Sequence, residues 1–349
     1  METILLPIDP TDPDPRTIAR AAELLREGGL VAFPTETVYG LGADALNADA
    51  VAAIYEAKGR PAHNPIIVHA GCVEDARRVA ADWPADADRL ASACWPGPLT
   101  LVLPKAANVP PIVTAGGPTI AVRVPAHRIA LALIRATGSP LAAPSANRSG
   151  LLSPTRAEHV QRGLSGRIPM ILDGGATAGG LESTVLDLTS RPPRILRPGL
   201  VSAARIESII GCLAASGLAA DSAGRPGAPD PLRSPGMLDR HYAPRAPVEL
   251  VNGEAAARKR VGALRSAGQR VGWLALGASR VLDDVADGRV SCRAMPADAD
   301  QYAASLYAAL HDLDADADHI VVELPPDGPE WSAIHDRLRR AAATATAGG

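Results

Sequence analysis

Aromatic residues, lysine and cysteine are all scarce in this sequence of 349 residues. Aromatic side chains make up 3% of the chain, and Phe33 is the single phenylalanine. Lys58, Lys105 and Lys259 are the three lysines, so nearly all of the 35 basic residues are arginines. Such a skew, together with abundant alanine, is typical of a GC-rich genome rather than of a particular function. The few lysines and the one phenylalanine are therefore the exceptions to explain.

Several classes of protein are excluded by what the sequence lacks. It has no apolar run of about 18 residues, so no membrane span is expected. The segment METILLPIDPTDPDP is acidic and interrupted by proline, unlike a signal peptide. The four cysteines are far apart and include no Cys-x-x-Cys pair, which excludes a common zinc knuckle and a disulfide framework. A reducing cytoplasm is the expected location.

Net charge and motif content exclude further classes of function. The formal net charge is −3, and residues 1–212 carry 20 basic and 20 acidic residues. Neither part of the chain is basic, so no large electrostatic footprint for nucleic acid is visible. The sequence contains no Gly-x-x-x-x-Gly-Lys-Ser/Thr phosphate loop, no Gly-x-Ser-x-Gly elbow and no His-x-x-x-His spacing. These absences argue against a P-loop enzyme and a serine hydrolase, and we expect no dedicated protein site for a metal ion.

The order of apolar and polar segments predicts two domains joined by a linker. Residues 1–212 alternate short apolar strands with amphipathic helices, which predicts an α/β domain with a large twisted sheet. Six prolines between Pro226 and Pro247 mark residues 213–247 as a linker. Residues 248–345 return to strand–helix alternation and predict a smaller, Rossmann-like α/β domain of parallel strands.

Four segments place polar residues at strand ends and turns, where binding sites usually lie. The first, FPTETVYGLG, has threonine hydroxyls on both sides of Glu36 at the end of a strand. Gly40 and Gly42 follow, and such a turn can hold a small polar ligand. The alternative is a capped turn, with threonine as an N-cap and glycine supplying a positive φ.

The second segment, AKGRPAHNPIIVH, puts Lys58 and Arg60 close together just past a helix. A lysine point charge beside a forked guanidinium suits a polyphosphate. Pro61 and Pro65 restrict the backbone that carries these charges. The alternative is a solvated basic helix end that interacts with the helix dipole. His69 ends the next strand, a position that favours ligand contact although a lone histidine is more often structural.

The third segment, APSANRSG, is a tight turn after an apolar strand. Its serine hydroxyls and backbone N–H groups suit an anion cradle, with an ordinary Ser/Asn turn as the alternative. Upstream, Thr119 and Arg123 share one face of a strand. Arg123 therefore either binds a carboxylate in a cleft or solubilises an edge strand.

The fourth segment, LESTVLDL followed by RILRPG, places Ser183 and Arg197 where they could close a pocket from the opposite side.

Taken together and in order, the segments resemble the threonylcarbamoyl-AMP synthase family in its long form, with a YrdC-like catalytic domain, a linker and a smaller C-terminal domain. The match runs through GGLVAFPTETVYGLG, KGRP with NPIIVH, WPGPLTLVL, TIAVRVP, APSANRSG, ESTVLD, ILRPG and SPGMLDRHYAP. It covers essentially the first 245 residues, and the C-terminal part agrees only in length and pattern. Glu36 stands where the common family form has aspartate, which keeps the charge.

The resemblance implies a YrdC-like twisted mixed sheet with an open cleft. It also implies synthesis of threonylcarbamoyl-AMP and pyrophosphate from ATP, L-threonine and bicarbonate, for tRNA modification. Mg²⁺ is expected to accompany ATP, held mainly by phosphates and water. No protein nucleophile is needed, so catalysis is expected to come from positioning and from neutralisation of phosphate charge.

The resemblance also implies which residues form the site. The catalytic set around the nucleotide phosphates and the reacting centre is expected to comprise Lys58, Arg60, Ser145 and Asn147. Further contacts to ATP are expected from Asn64, Thr119, Ser153, Arg197 and Tyr242. The threonine site is expected to comprise Thr37, His69, Arg123, Ala143 through its backbone, and Ser183.

Two questions stay open from the sequence. We hypothesise that the linker folds over the cleft and that Tyr242 touches the nucleotide, which would shield a water-sensitive intermediate. The main alternative function is a double-stranded RNA-binding or tRNA-binding protein without catalysis, against which the neutral charge of residues 1–212 argues. A carbamoyl-transfer maturation enzyme is a second alternative, but it would be expected to bring zinc-binding Cys-x-x-Cys pairs. Transient contact with tRNA or with tRNA-modification proteins is compatible with the resemblance.

Overall fold

The chain is described by a computed structural model over residues 1–214, 242–277 and 288–343. These residues form two compact units. The first unit comprises residues 1–149, 155–177 and 182–214. The second comprises residues 150–154, 178–181 and the described residues from 242 onward. Most of the predicted linker, including SPGMLDRH, lies outside the described residues, and the predicted domain boundaries stay a prediction.

The first unit contains ten strands and seven helices among its described residues. The strands are β1 (Ile4–Pro7), β2 (Val31–Phe33), β3 (Gly40–Asp44), β4 (Ile67–His69), β5 (Leu99–Pro104), β6 (Thr119–Arg123), β7 (Leu141–Ala142), β8 (Met170–Asp173), β9 (Thr184–Asp187) and β10 (Arg194–Arg197). The helices are α1 (Pro15–Arg26), α2 (Ala48–Lys58), α3 (Val73–Arg78), α4 (Ala85–Cys94), α5 (Arg128–Thr137), α6 (Ala157–Leu164) and α7 (Ala203–Ile210).

All ten strands join one mixed sheet in the order β1-β8-β2-β3-β7-β4-β6-β5-β9-β10. Strands β1 and β2 run parallel to β8, β4 runs parallel to β6, and β5 runs parallel to β9. The other neighbours are antiparallel, including the β2–β3 hairpin that carries the first polar segment. The predicted mixed sheet is confirmed.

Both faces of this sheet are covered, because successive side chains of a strand point to opposite sides. In β2, Ala32 joins the core under α2, α4, α6 and α7, whereas Val31 and Phe33 join the core under α1 and α5. Helix α1 begins at an Asp14 cap, whose side chain accepts the Thr17 N–H. Of the candidate site residues, His69 and Arg123 end strands of this sheet, and Lys58 ends α2.

The two glycines of FPTETVYGLG have a packing role in β3. A Cβ built on Gly42 would lie 2.7 Å from Cε1 of Phe33, and one on Gly40 would lie 3.5 Å from the Cβ of Ala143. Neither glycine has a positive φ. The expectation that they shape a turn is therefore wrong: both are strand residues, and it is Gly42 that leaves room for the ring of Phe33.

The second unit is a smaller parallel α/β unit. Its strands and helices are β11 (Val248–Val251), α8 (Glu254–Ser266), β12 (Val271–Leu276), β13 (Val290–Met295), α9 (Ala299–Leu313), β14 (His319–Glu323) and α10 (Ser332–Ala342). The strand order is β11-β14-β12-β13, and all three pairings are parallel. The core under α8 contains Trp273 and Val321, both fully buried. The predicted Rossmann-like arrangement of parallel strands is consistent with this topology.

The short segment 150–154 is part of the second unit because its backbone pairs there. Leu151 forms a parallel bridge with Ala243, and the N–H of Ala243 donates to the carbonyl of Gly150 at 3.0 Å. Nε2 of His311 lies 3.1 Å from the carbonyl oxygen of Ser153. In the described parts of the chain, no helix is long and apolar enough to cross a membrane.

Candidate active site

Lys58 joins the second and third polar segments. Helix α2 ends at Lys58 because Gly59 adopts a left-handed conformation (φ 60°), and the next N–H, of Arg60, returns to the carbonyl of Tyr55 at 2.9 Å. Nζ of Lys58 donates to the carbonyl of Ser145 at 2.6 Å and also to the carbonyl of Asn147. The ammonium group is thus bound by the backbone of the APSAN turn.

The same turn is tied to the β2–β3 hairpin. Gly40 and Ser145 form an antiparallel bridge, and the N–H of Ala146 donates to the carbonyl of Tyr39 at 2.8 Å. The N–H of Ser149 donates to the carbonyl of Lys58 at 3.0 Å. Three segments that are far apart in sequence therefore converge on Lys58.

Burial strongly affects the charge of Lys58, which is 2% exposed. Desolvation lowers the pKa of its ammonium group well below the usual lysine range, and the nearby positive charge of Arg60 lowers that pKa further. No carboxylate of the described residues offsets these two effects. A bound polyanion would supply the missing negative charge and favour the protonated form.

Arg60 is fixed by the backbone of the proline-rich loop. Its Nε donates to the carbonyl of Asn64 at 3.0 Å, and its Nη2 donates to Oδ1 of Asn64 and to the carbonyl of Pro65, each at 2.6 Å. Asn64 is fully buried, and its Nδ2 has no hydrogen-bond partner among the described residues. A buried amide donor of this kind is available to a ligand.

A second cluster surrounds Arg123 at the end of β6. Its Nε donates to the carbonyl of Gly97 at 3.1 Å, and its Nη1 donates to Oγ1 of Thr37 at 3.1 Å. Nη2 lies 2.5 Å from Oε1 of Glu36. The expected carboxylate-binding arginine is therefore buried beside the first polar segment, not exposed on an edge strand.

His69 is the immediate neighbour of Arg123 in the sheet. The two residues are paired in the register of β4 and β6, and both are buried. Burial lowers the pKa of His69 to about 3, and the positive charge of Arg123 contributes in the same direction. His69 is therefore neutral at physiological pH, and its Nδ1 has no hydrogen-bond partner in the described part of the chain.

Ser183 and Arg197 form a third contact group at the β9–β10 end of the sheet. Nη2 of Arg197 donates to the carbonyl of Ser183 at 3.0 Å and to its Oγ at 3.2 Å. Oγ of Ser183 lies 2.8 Å from Oγ1 of Thr100. The structure thus pairs a residue predicted to contact threonine with one predicted to contact ATP.

Ala143 and Thr119 occupy simpler positions. The N–H of Ala143 donates at 2.9 Å to the carbonyl of Ile67, which lies in the same strand as His69. Thr119 begins β6 on the face that it shares with Arg123. Among the described residues, the Thr119 side chain makes no hydrogen bond to another predicted site residue.

Ser153 and Tyr242 belong to the second unit. Ser153 is fully buried, and its carbonyl contacts His311 as described above. Tyr242 is 1% exposed and has a φ of 61°. Its ring centroid lies 6.0 Å from that of Tyr307, and Cζ of Arg337 lies 4.9 Å from it. The expected contacts of Ser153 and Tyr242 with ATP stay predictions.

Sequence reasoning missed three groups that the structure places against predicted site residues. Thr35 contributes a hydroxyl 2.7 Å from that of Thr37, Thr100 contacts Ser183, and Glu36 contacts Arg123. Thr35 and Glu36 were visible inside PTET, and Thr100 inside WPGPLTLVL. In the described ranges, no group of three or more His, Cys, Asp or Glu side chains is arranged to hold a metal ion.

Comparison with known proteins gives the family. Residues 23–199 match the family described as Telomere recombination, and residues 201–343 match the family described as Threonylcarbamoyl-AMP synthase, C-terminal domain. The threonylcarbamoyl-AMP synthase of Bacillus subtilis is 46% identical over 332 residues, which are 94% of this chain and 93% of that protein. This chain belongs to the threonylcarbamoyl-AMP synthase family.

Two further similarities agree with this membership in the threonylcarbamoyl-AMP synthase family. The synthase of Pyrococcus abyssi is 52% identical over 237 residues, or 67% of each chain. The crystal structure of P. abyssi Sua5 complexed with L-threonine has a TM-score of 0.85 and 40% identity, and the match covers 97% of both chains. The sequence-based resemblance is confirmed, and these similarities support the enzyme rather than the RNA-binding alternative.

Proposed function

We propose that this chain synthesises threonylcarbamoyl-AMP from ATP, L-threonine and bicarbonate and releases pyrophosphate. The observation that carries the proposal is 46% identity to the Bacillus subtilis synthase over nearly the whole length of both chains. The P. abyssi relative was crystallised with L-threonine, which supports the same amino-acid substrate here. The product would serve tRNA threonylcarbamoylation, a step that other proteins complete.

The chemistry requires two bond-forming steps. The ammonium group of threonine first loses a proton, and the neutral amine then attacks CO2 with release of a second proton, or bicarbonate with release of water, to form a carbamate. An oxygen of the carbamate then attacks the α-phosphorus of ATP, and pyrophosphate leaves. Neither step needs a nucleophile from the protein, so the contribution of the site is positioning and stabilisation of negative charge.

Lys58, Arg60, Ser145 and Asn147 are the residues to which we assign the phosphate side of this reaction. Lys58 and Arg60 place two buried positive charges near each other, and a polyphosphate would offset their mutual repulsion. The backbone contacts of Lys58 to Ser145 and Asn147 hold the anion-binding turn at the ammonium group. We expect the unpartnered Nδ2 of Asn64 to donate to the nucleotide.

Arg123, Thr37 and His69 form the side to which we assign L-threonine. Arg123 presents its guanidinium beside the Thr37 hydroxyl, an arrangement suited to a carboxylate. A neutral His69 can accept or donate a hydrogen bond without adding charge. Ser183 and the backbone of Ala143 complete the proposed threonine set.

Mg²⁺ is proposed to enter as part of the ATP substrate, held by phosphate oxygens and water. We also propose a cytoplasmic location, where ATP, bicarbonate and tRNA are all present. Cell fractionation with an antibody to this chain would test the location.

The decisive experiment is a pyrophosphate-release assay with the full-length chain. Release is expected only when ATP, L-threonine and bicarbonate are all supplied. Pyrophosphate release without threonine would refute the substrate assignment. A tRNA-binding titration in increasing salt tests the main alternative, because tight, strongly salt-dependent binding without ATP consumption would favour an RNA-binding protein.

A further inference from the structure

Arg123 is held from three directions by groups of the protein. Nε contacts the carbonyl of Gly97, Nη1 contacts Thr37, and Nη2 lies 2.5 Å from Oε1 of Glu36. An arginine side chain has five N–H donors. These contacts use at most three of them, so at least two N–H donors of the guanidinium are not engaged by Gly97, Thr37 or Glu36.

Glu36 has fewer hydrogen bonds than its ion-pair partner Arg123. Both of its carboxylate oxygens are shielded from solvent, and neither has a hydrogen bond of good geometry among the described residues. Arg123 is its ion-pair partner through Oε1 alone. Carboxylates buried in proteins normally accept several hydrogen bonds, so Oε2 of Glu36 has unused capacity for a donor.

The formal charges of Arg123, Glu36 and the neighbouring histidines sum to zero. Arg123 contributes one positive charge and Glu36 one negative charge. Burial keeps His69 neutral, and burial also lowers the pKa of His127, which interacts with Glu36. A ligand that is itself neutral overall but carries one positive and one negative group would match this arrangement.

We propose that Glu36 recognises the α-ammonium group of the amino-acid substrate, while Arg123 binds its carboxylate. The inference rests on the proposed function and adds a determinant of substrate class to it. In an α-amino acid the two charged groups are attached to the same carbon. Glu36 and Arg123 are in contact and therefore present opposite charges at a matching short separation.

Glu36 would then be a specificity-determining residue as well as a partner of Arg123. A purely structural role predicts a different outcome. If Glu36 only orients Arg123, every ligand with a carboxylate should lose affinity equally when Glu36 is changed. If Glu36 binds the ammonium group, only ligands that carry this group should lose the extra affinity.

The test compares two ligands by isothermal titration calorimetry on the full-length chain. One is L-threonine, and the other is the 2,3-dihydroxybutanoate of matching configuration, in which a hydroxyl replaces the ammonium group. We expect the wild-type chain to prefer threonine. In Glu36→Gln this preference should fall by about 10- to 100-fold, the loss expected for one charge-assisted hydrogen bond.

Two further variants sharpen the comparison. Glu36→Asp keeps the carboxylate and should retain the preference for threonine. Glu23→Gln makes the same chemical change at an exposed position on α1 and should match the wild type. Far-UV circular dichroism and the unfolding midpoint of each variant establish that the comparison is made on folded protein.

Three results of these titrations would have different consequences. Equal weakening of both ligands in Glu36→Gln would overturn the inference and leave Glu36 as a positioning residue. Equal affinity of the wild-type chain for both ligands would overturn it without any variant, even if Glu36→Gln did not fold. Failure of the wild-type chain to bind L-threonine at all would instead count against the proposed function.

Discussion

Four basic side chains of the first unit are buried and donate to backbone carbonyls, those of Lys58, Arg60, Arg123 and Arg197. By contrast, most of the ion-paired arginines in the described part of the second unit lie at the surface beside carboxylates. Lys58 and Arg123 are 2% and 3% exposed. Arg260 and Arg270 pair with Glu249 and Asp318, but their side chains are 40% and 58% exposed. In the described part of the second unit, Arg337 is buried and contacts Asp336, and Arg340, with 11% of its side chain exposed, pairs with the same carboxylate.

We interpret the buried charges of the first unit as part of a binding site and the exposed charges of the second unit as part of a solvated surface. Exposed ion pairs contribute little to stability because water screens them and their side chains lose entropy. A buried charge is costly unless the fold or a ligand satisfies it, so a fold that retains several is organised around their use. The predictions below test whether the contrast holds.

The largest effect is expected for Lys58→Ala. Removal of the ammonium group takes away a buried positive charge and frees the carbonyls of Ser145 and Asn147. Pyrophosphate release should fall by about 100-fold or more, as for other groups that stabilise developing negative charge. Lys259→Ala, at an exposed position on α8, is the matched control and should keep wild-type activity. Equal activity of the two variants would contradict the assignment of Lys58 to the phosphates.

Arg123→Met should destabilise the first unit by up to about 3 kcal/mol, because it leaves the Glu36 carboxylate shielded and without its partner. The loss is measured as the free energy of unfolding in urea. The double variant Arg123→Met/Glu36→Gln should recover part of it, since no unpaired charge is then left. A double variant less stable than either single variant would speak against a coupled pair.

The stability of the first unit should depend on pH through His69. Its native pKa is about 3, below the value of about 6.5 in an unfolded chain, so acid favours proton uptake by the unfolded state. The His69 contribution is therefore present above pH 6.5 and is lost as pH falls towards 3. Between pH 7 and pH 5 the expected loss is about 2 kcal/mol. Urea unfolding at both pH values should show a smaller loss of unfolding free energy for His69→Asn than for the wild-type chain. An identical loss in the two proteins would exclude His69 as the source of the pH dependence.

The smallest effect is expected for Arg270→Ala in the second unit. Its partner Asp318 is about half exposed, and hydrogen bonds from Arg270 lower the pKa of that carboxyl to about 2. Because both groups face water, the unfolding midpoint should shift only slightly, and the shift should diminish in high salt. Activity should not change. A large, salt-independent destabilisation would remove the contrast between the two units.

Local sequence signals predicted most helices and strands correctly. Gly59 ends α2 as a left-handed residue, and the strand–helix alternation predicted for residues 248–345 includes α8 over Glu254–Ser266. Strand β3 was missed because GLGAD looks like a turn, and its glycines make sense only once the ring of Phe33 is seen beside them. Strand β13 carries no clear apolar pattern, because only its two end residues are buried.

The candidate site shows the same division between local and distant information. The motifs identified Lys58, Arg60, Arg123 and His69 as residues of interest from their types and spacing. They did not identify the contact of Lys58 with Ser145, 87 residues away, or the role of Glu36 beside Arg123. Such contacts depend on how strands are ordered in the sheet, which no local pattern encodes.

The sequence by itself determined the family, the α/β class and the residue types of the site, because ordered motifs and hydrophobic periodicity are local properties. Tertiary structure decided which of these residues meet and in which charge state. The parallel pairing of β4 and β6 places His69 next to Arg123, and burial keeps that histidine neutral. The folding of the APSAN turn onto α2 places backbone carbonyls around Lys58. The scarcity of lysine and phenylalanine was visible at once, but only the packed sheet explains why Lys58 and Phe33 lie where they do.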